Sequence, residues 1–184
     1  MSYYGSRYLL YYPQYISGYE RVKIITTTQK TTMEMEPLTN QIVIFGATGD
    51  LCKRKLIPSL FKLHEKKLLP NNLKIVGTSR REMSRDDWLW MLGDYPKDFK
   101  ERLKWVSTDL TSQSTLEKLP EADDTTYFLS VPPERYESAI VNLKQAGLLD
   151  DPETSRVVIE KHFGYDYKSA NNLQTVVGRY LREK

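Results

Sequence analysis

The sequence predicts an α/β domain in which a doubly wound, mainly parallel sheet carries helices on both faces, with an N-terminal tail ahead of it. Three observations lead there. Apolar runs of five or six residues recur between segments with helical spacing, which is how a parallel sheet covered on both sides reads. The first run, Gln41–Phe45, passes directly into Gly46-Ala47-Thr48-Gly49-Asp50, a strand, a glycine turn and a helix start. The alternation then continues from residue 41 to 184 as one domain, while residues 1–40 differ in composition.

Residues 1–40 read as a Tyr-rich tail and a Thr-rich linker. Tyr3, Tyr4, Tyr8, Tyr11, Tyr12, Tyr15 and Tyr19 make up more than half of the 13 tyrosines, and Thr26-Thr27-Thr28-Gln29-Lys30-Thr31-Thr32 is low-complexity. Two readings stand: a flexible terminus, or a segment whose rings lie on the domain or on a protein partner. The first acid is Glu20, after Arg7, a start of the acid-poor kind that targeting segments have, without the apolar core of a secretory signal.

The elements follow in order. After the strand Gln41–Phe45, residues 53–67 place Leu56, Ile57, Leu60, Phe61 and Leu63 at helical spacing. Pro70-Asn71-Asn72 is a turn, and residues 73–78 form the second strand. Ser84 is a helix N-cap with Asp86 and Asp87 in the first turn. Residues 96–102 form a short helix leading into Trp105-Val106-Ser107. Residues 126–131 form a strand closed by Pro132-Pro133, the second proline suiting a helix start, and that helix runs to Gly147. Residues 156–160 are the last strand and 167–181 the closing helix.

Composition excludes several classes of function. A net charge of +3 without a long basic run does not suit nucleic acid, and no apolar stretch is long enough to span a membrane. Two histidines and one cysteine cannot build a His/Cys zinc cage, so no metal is expected. The single cysteine, Cys52, forbids an internal disulfide and fits a reducing compartment. That places the chain in the cytoplasm, or in an organelle if its N-terminus is a targeting segment.

The chemistry sits at the glycine turn. A helix start offers unpaired N–H groups and the positive end of the helix dipole, and glycines let a pyrophosphate come close to them. Coenzyme domains of this Rossmann type read the adenosine ribose at the end of the second strand. NAD-binding members tend to carry an acid there; here Thr78-Ser79-Arg80-Arg81 follows, with no acid before Glu82. An arginine suits a 2′-phosphate, which argues for NADP. Lys53-Arg54-Lys55 reads either as an attractor of coenzyme phosphates or as a solvated face.

Four motifs in order then resemble one family. They are Gly46-Ala47-Thr48-Gly49-Asp50-Leu51, Val76-Gly77-Thr78-Ser79-Arg80, Tyr127-Phe128-Leu129-Ser130-Val131-Pro132-Pro133 and Ile159-Glu160-Lys161-His162-Phe163-Gly164. Residues 41–184 resemble the N-terminal coenzyme domain of glucose-6-phosphate dehydrogenase. The resemblance implies NADP(H) as cofactor and the oxidation of glucose 6-phosphate to its lactone, the entry to the pentose phosphate pathway. It implies that Thr48 and Arg80 hold the 2′-phosphate and that Gly46, Gly49, Asp50 and Leu51 lie along the pyrophosphate. Pro132 and Pro133 would border the nicotinamide, and Lys161 would sit where coenzyme and substrate meet. Three departures bear on activity. His162 stands where the family has a proline, and the family's sugar-phosphate segment and histidine base would both come after Lys184. The 184 residues are therefore expected to bind coenzyme without turning over sugar phosphate alone. The alternative is a non-catalytic accessory subunit, with the tail and the 156–184 side meeting a protein partner.

Overall fold

The computed structural model describes residues 39–160 and 167–181. Five strands form one sheet: β1 (Gln41–Phe45), β2 (Lys74–Ser79), β3 (Leu103–Ser107), β4 (Thr125–Leu129) and β5 (Ser155–Ile159). Their order is β3-β2-β1-β4-β5, and all four pairings are parallel. The chain builds outward from β1 to β3, then crosses to the other side of β1 for β4 and β5. The order therefore reverses between β1 and β4. In open parallel sheets that reversal leaves a crevice outside the strand C-termini, where ligands bind.

Alternation along each strand makes two cores. Val43, Phe45, Val76, Tyr127, Leu129 and Ile159 face one side, where α5 (Tyr136–Gln145) and α6 (Tyr167–Tyr180) cover them. Ile44, Ile75 and Leu103 face the other. There the cover is a π-helical turn at Cys52–Leu56 continuing into α1 (Ile57–Glu65), then α2 (Arg85–Leu92) and α3 (Lys97–Lys100). Helices on both faces of an all-parallel sheet are the doubly wound arrangement the sequence predicts.

The element ends differ from the expected ones by small amounts with local causes. The first helix stops at Glu65, not 67, because Lys67 adopts φ 56° and the Lys67 N–H turns back to the His64 carbonyl. β3 begins at Leu103, because register with β2 pairs Ile75 with Leu103. A four-residue helix, α4 (Gln113–Leu116), appears where no helix was expected. Ser84 does cap α2: its hydroxyl accepts from the Asp87 N–H while the Asp87 carboxylate accepts from the Ser84 N–H. His64 is half-buried on α1, and its ring Nε2 lies 2.8 Å from Asp98.

One packing contact sets the distance between sheet and helix. Trp88 on α2 is fully buried and lies flat on β2 at Gly77, where an added Cβ would come within 2.2 Å of the indole ring. The indole N–H then donates to the Ala47 carbonyl at 3.1 Å. The strand needs a glycine so that the ring can reach the turn beyond it. Gly77→Ala is expected to cost about 1–3 kcal/mol, the usual penalty for overpacking a filled core. A lowered urea midpoint at unchanged slope checks this, and an unchanged midpoint refutes the close approach.

Candidate functional site

The site begins at the exit of β1. Gly46 has φ +81°, a conformation that suits glycine, and its Cβ position lies 2.1 Å from the Ser130 carbonyl oxygen. The Gly46 and Ala47 N–H groups both donate to the Thr78 carbonyl, at 2.9 and 3.0 Å, and the Ser130 N–H donates to Phe45 O at 2.9 Å. The turn is thus tied to the ends of β2 and β4 at once. Inside it, the Gly49 N–H donates to Gly46 O at 2.8 Å. Lys53 is the first residue whose N–H finds a helical carbonyl, Gly49 O at 3.2 Å. The N–H groups of Asp50, Leu51 and Cys52 ahead of it are the donors a helix start leaves without an intrahelical acceptor. They are the groups suited to receive a phosphate.

The other expected residues gather at the same edge. Arg80 is exposed one residue past β2, two residues beyond the Thr78 carbonyl that anchors the turn. Thr48 is half-buried in the turn. Pro132 is exposed and Pro133 begins a 3-10 turn, Pro133–Arg135, that leads into α5. Asp50 is exposed and paired with Arg54 at 2.6 Å. With both side chains in water, that pair stabilises little. Lys53, Arg54 and Lys55 are all exposed on the π-helical turn. Leu51 is half-buried. Lys161, His162 and the Tyr-rich tail with its docking role lie outside the described residues.

Cys52 is fully buried behind the turn, and burial pushes its thiol up to about 12. It is a packing residue. Tyr136, at the start of α5, is buried too. Burial raises its hydroxyl pKa, against a hydrogen bond from the Glu160 main chain that lowers it.

Sequence reading missed three residues here. Ser130 supplies the carbonyl that makes Gly46 obligatory. Trp88 holds the Ala47 carbonyl. Asp109 follows β3, where the Thr108 N–H donates to Ser79 O at 3.0 Å and brings that loop beside Arg80. A positional rule was available for Asp109, since in a parallel sheet the loops after all strands open at one end. Among the described residues, no group of three His, Cys, Asp or Glu lies together as a metal site would need, and no helix is long and apolar enough to cross a membrane.

The family model "Glucose-6-phosphate dehydrogenase, NAD binding domain" matches residues 43–184. The chain is similar to glucose-6-phosphate 1-dehydrogenase of Leuconostoc mesenteroides, 33% identical over 154 residues, covering 72% of this chain and 32% of that one. The enzyme of the same name from Zymomonas mobilis is 33% identical over 162 residues, covering 78% and 33%. Among solved structures, the Mycobacterium avium enzyme superposes with a TM-score of 0.69 at 27% identity, over 80% of this chain and 35% of that one. A glucose-6-phosphate dehydrogenase in complex with its substrate glucose 6-phosphate gives 0.65 at 26%, over 78% and 34%. The chain spans about a third of the length of the relatives it matches.

Two outcomes follow from this geometry. Gly46→Ala forces φ +81° on an alanine, at about 1–2 kcal/mol, and drives its Cβ into a carbonyl that the sheet holds in place. Gly49→Ala meets its nearest atom at 3.0 Å. The first variant is expected to lose much more stability than the second in thermal unfolding, and equal losses would refute the Ser130 contact as the constraint. With the Cys52 thiol at about 12, about one in 10⁴ is ionised at pH 8, so alkylation of native protein should be slow and become fast on unfolding. Fast labelling of folded protein would refute its burial.

Proposed function

The chain belongs to the glucose-6-phosphate dehydrogenase family through its coenzyme-binding domain, and on that premise we propose that it binds NADP(H) in preference to NAD(H). The pyrophosphate lies on the helix start at Asp50–Cys52, and the adenosine ribose lies at the exit of β2. One observation carries the preference. Arg80 stands exposed at that exit, beside the turn that Thr78 anchors, with no acid between it and Glu82. A guanidinium there attracts a 2′-phosphate dianion, whereas NAD would offer it only a hydroxyl. Thr48, at the turn, adds a hydroxyl donor to the same phosphate.

The activity proposed for the whole protein is hydride transfer from glucose 6-phosphate to NADP+. Bound coenzyme supplies the hydride acceptor. On this reading Pro132 and Pro133 border the nicotinamide, and Lys161 is the residue proposed to meet both coenzyme and sugar. Holding one reactant does not give the advantage of positioning both, which is worth about 7–11 kcal/mol at best. The 184 residues alone are accordingly proposed to bind coenzyme without turning over the sugar.

Titration with NADP+ and NAD+ tests the reading. Saturable binding that favours NADP+ is expected, and Arg80→Gln should weaken NADP+ about 10- to 150-fold, the loss of a charge-assisted contact worth about 1.5–3 kcal/mol, with NAD+ little changed. Absence of saturable binding of either coenzyme would overturn the proposal. NADPH formation from glucose 6-phosphate above a no-protein control would overturn the part concerning the 184 residues alone.

A further inference from the structure

Arg80 is not the only guanidinium at this edge. The loop after β3 crosses the sheet end and joins the two sides of the candidate site. Its start is tied to β2: the Thr108 N–H donates to Ser79 O, the Thr108 and Thr78 hydroxyls bond to each other, and the Ser107 hydroxyl donates to Arg81 O at 3.1 Å. Its middle is tied to α5, where the Asn142 amide donates to Leu110 O at 2.5 Å. Between these ties stands Asp109. One carboxylate oxygen accepts from the Thr111 N–H and hydroxyl, at 2.9 and 2.8 Å, which fixes the group at the loop. Thr111 first, and then the nearby charges of Arg80 and Arg135, hold this carboxyl below its ordinary range, so it is ionised at neutral pH. Arg80 comes from the β2 exit and Arg135 from the turn that opens α5. Both are exposed, and among the described residues neither has a carboxylate partner within ion-pair distance.

One cation follows β2 and the other follows β4, on opposite sides of the switch point, and the loop that carries Asp109 is tied to both sides, to β2 through Ser79 and to α5 through Asn142. That is the charge pattern of an anion site occupied by a weak internal substitute. Resting on the NADP reading above, we propose that Arg135 is a second guanidinium for the coenzyme 2′-phosphate and that Asp109 is the resident carboxylate with which the phosphate competes. The three residues together set how strongly NADP+ is chosen over NAD+. Arg135 adds attraction that only a 2′-phosphorylated ligand feels. Asp109 repels that same phosphate and leaves the 2′-hydroxyl of NAD unopposed, so it limits the preference that the arginines create. Arg80 alone would leave a dianion half neutralised, and the second guanidinium completes the match.

The test uses the full chain and four ligands: NADP+, NAD+, adenosine 2′,5′-bisphosphate and 5′-AMP. Arg135→Gln removes the charge of an exposed side chain. It should weaken NADP+ and the bisphosphate about tenfold while NAD+ and 5′-AMP stay unchanged. Asp109→Asn keeps an oxygen for Thr111 and removes the charge. It should tighten NADP+ and the bisphosphate about three- to tenfold, again without moving the other two. Thermal unfolding of each free variant serves as the control for a merely structural effect. If the wild-type chain binds NADP+ but neither variant shifts the ratio of the two coenzymes, this inference is wrong and the NADP reading survives. Equal shifts for phosphorylated and unphosphorylated ligands would overturn it as well. If the wild-type chain binds no coenzyme, both readings fall together.

Discussion

The closure of the first turn between two neighbouring strands is the constraint on which the rest depends. β1 ends between β2 and β4, and its continuation has to leave the sheet where the Thr78 and Ser130 carbonyls already stand. Only a residue without Cβ passes Ser130, and only a left-handed φ turns the next two N–H groups back to Thr78. Once that is done, the following helix has a fixed origin and a fixed direction, and its first N–H groups face the crevice. The turn is therefore a consequence of sheet pairing as much as of its own sequence.

The helix face adds a second brace. Trp88 is buried on Gly77 and donates to Ala47, so α2 reaches over β2 to hold the turn from behind. An indole can do this because it combines a large apolar surface with one directed donor. A phenylalanine would fill most of the volume and leave the Ala47 carbonyl without that partner, a loss of order 1–3 kcal/mol for a buried acceptor. The site thus stands on packing from one core and on backbone hydrogen bonds across the sheet. Neither depends on a ligand being present.

The sequence carried the architecture further than it carried the site. Strand and helix alternation, Ser84 as a cap and the glycine turn all rest on local rules, and those rules hold here because each segment repeats one period cleanly. Strand ends slipped by a residue or two where polar residues such as Ser79, Thr125 and Ser155 continue the ladder, since main-chain pairing does not depend on the side chain. α4 was missed because Gln-Ser-Thr-Leu has no apolar period and only one buried residue, Leu116. Thr48, Arg80, Pro132 and Pro133 each follow the C-terminal end of a strand. Ser130 and Trp88 escaped sequence reading because their roles arise from what stands opposite them across 40 or more residues, Gly46 and Ala47, and no local pattern encodes that pairing.

Charge completes the argument, through its placement rather than its amount. A net charge of +3 is too small to draw anions from a distance. The two ends of the sheet, however, differ in sign. Segments entering the strands carry Glu121, Asp123 and Asp124 before β4 and Asp150, Asp151 and Glu153 before β5. Segments leaving β1 and β2 carry Lys53, Arg54, Lys55, Arg80 and Arg81 against Asp50 and Glu82, while Asp109 follows β3 and Glu134 stands beside Arg135 after β4. Arg156 on β5 neutralises Asp124 at the acidic end, so the asymmetry there is softened but kept. An anionic ligand is therefore repelled where β4 and β5 begin and attracted where β1 and β2 end. At the attracting end a positive helix start and Arg80 await it, beside loops fixed by Thr78, Thr108 and Asn142. With little net charge, selectivity for a phosphate has to come from contacts made within a few ångströms, where salt screens least. On the NADP reading proposed above, the identity of single residues around Arg80, and not the overall basicity of the domain, would therefore decide what the crevice accepts.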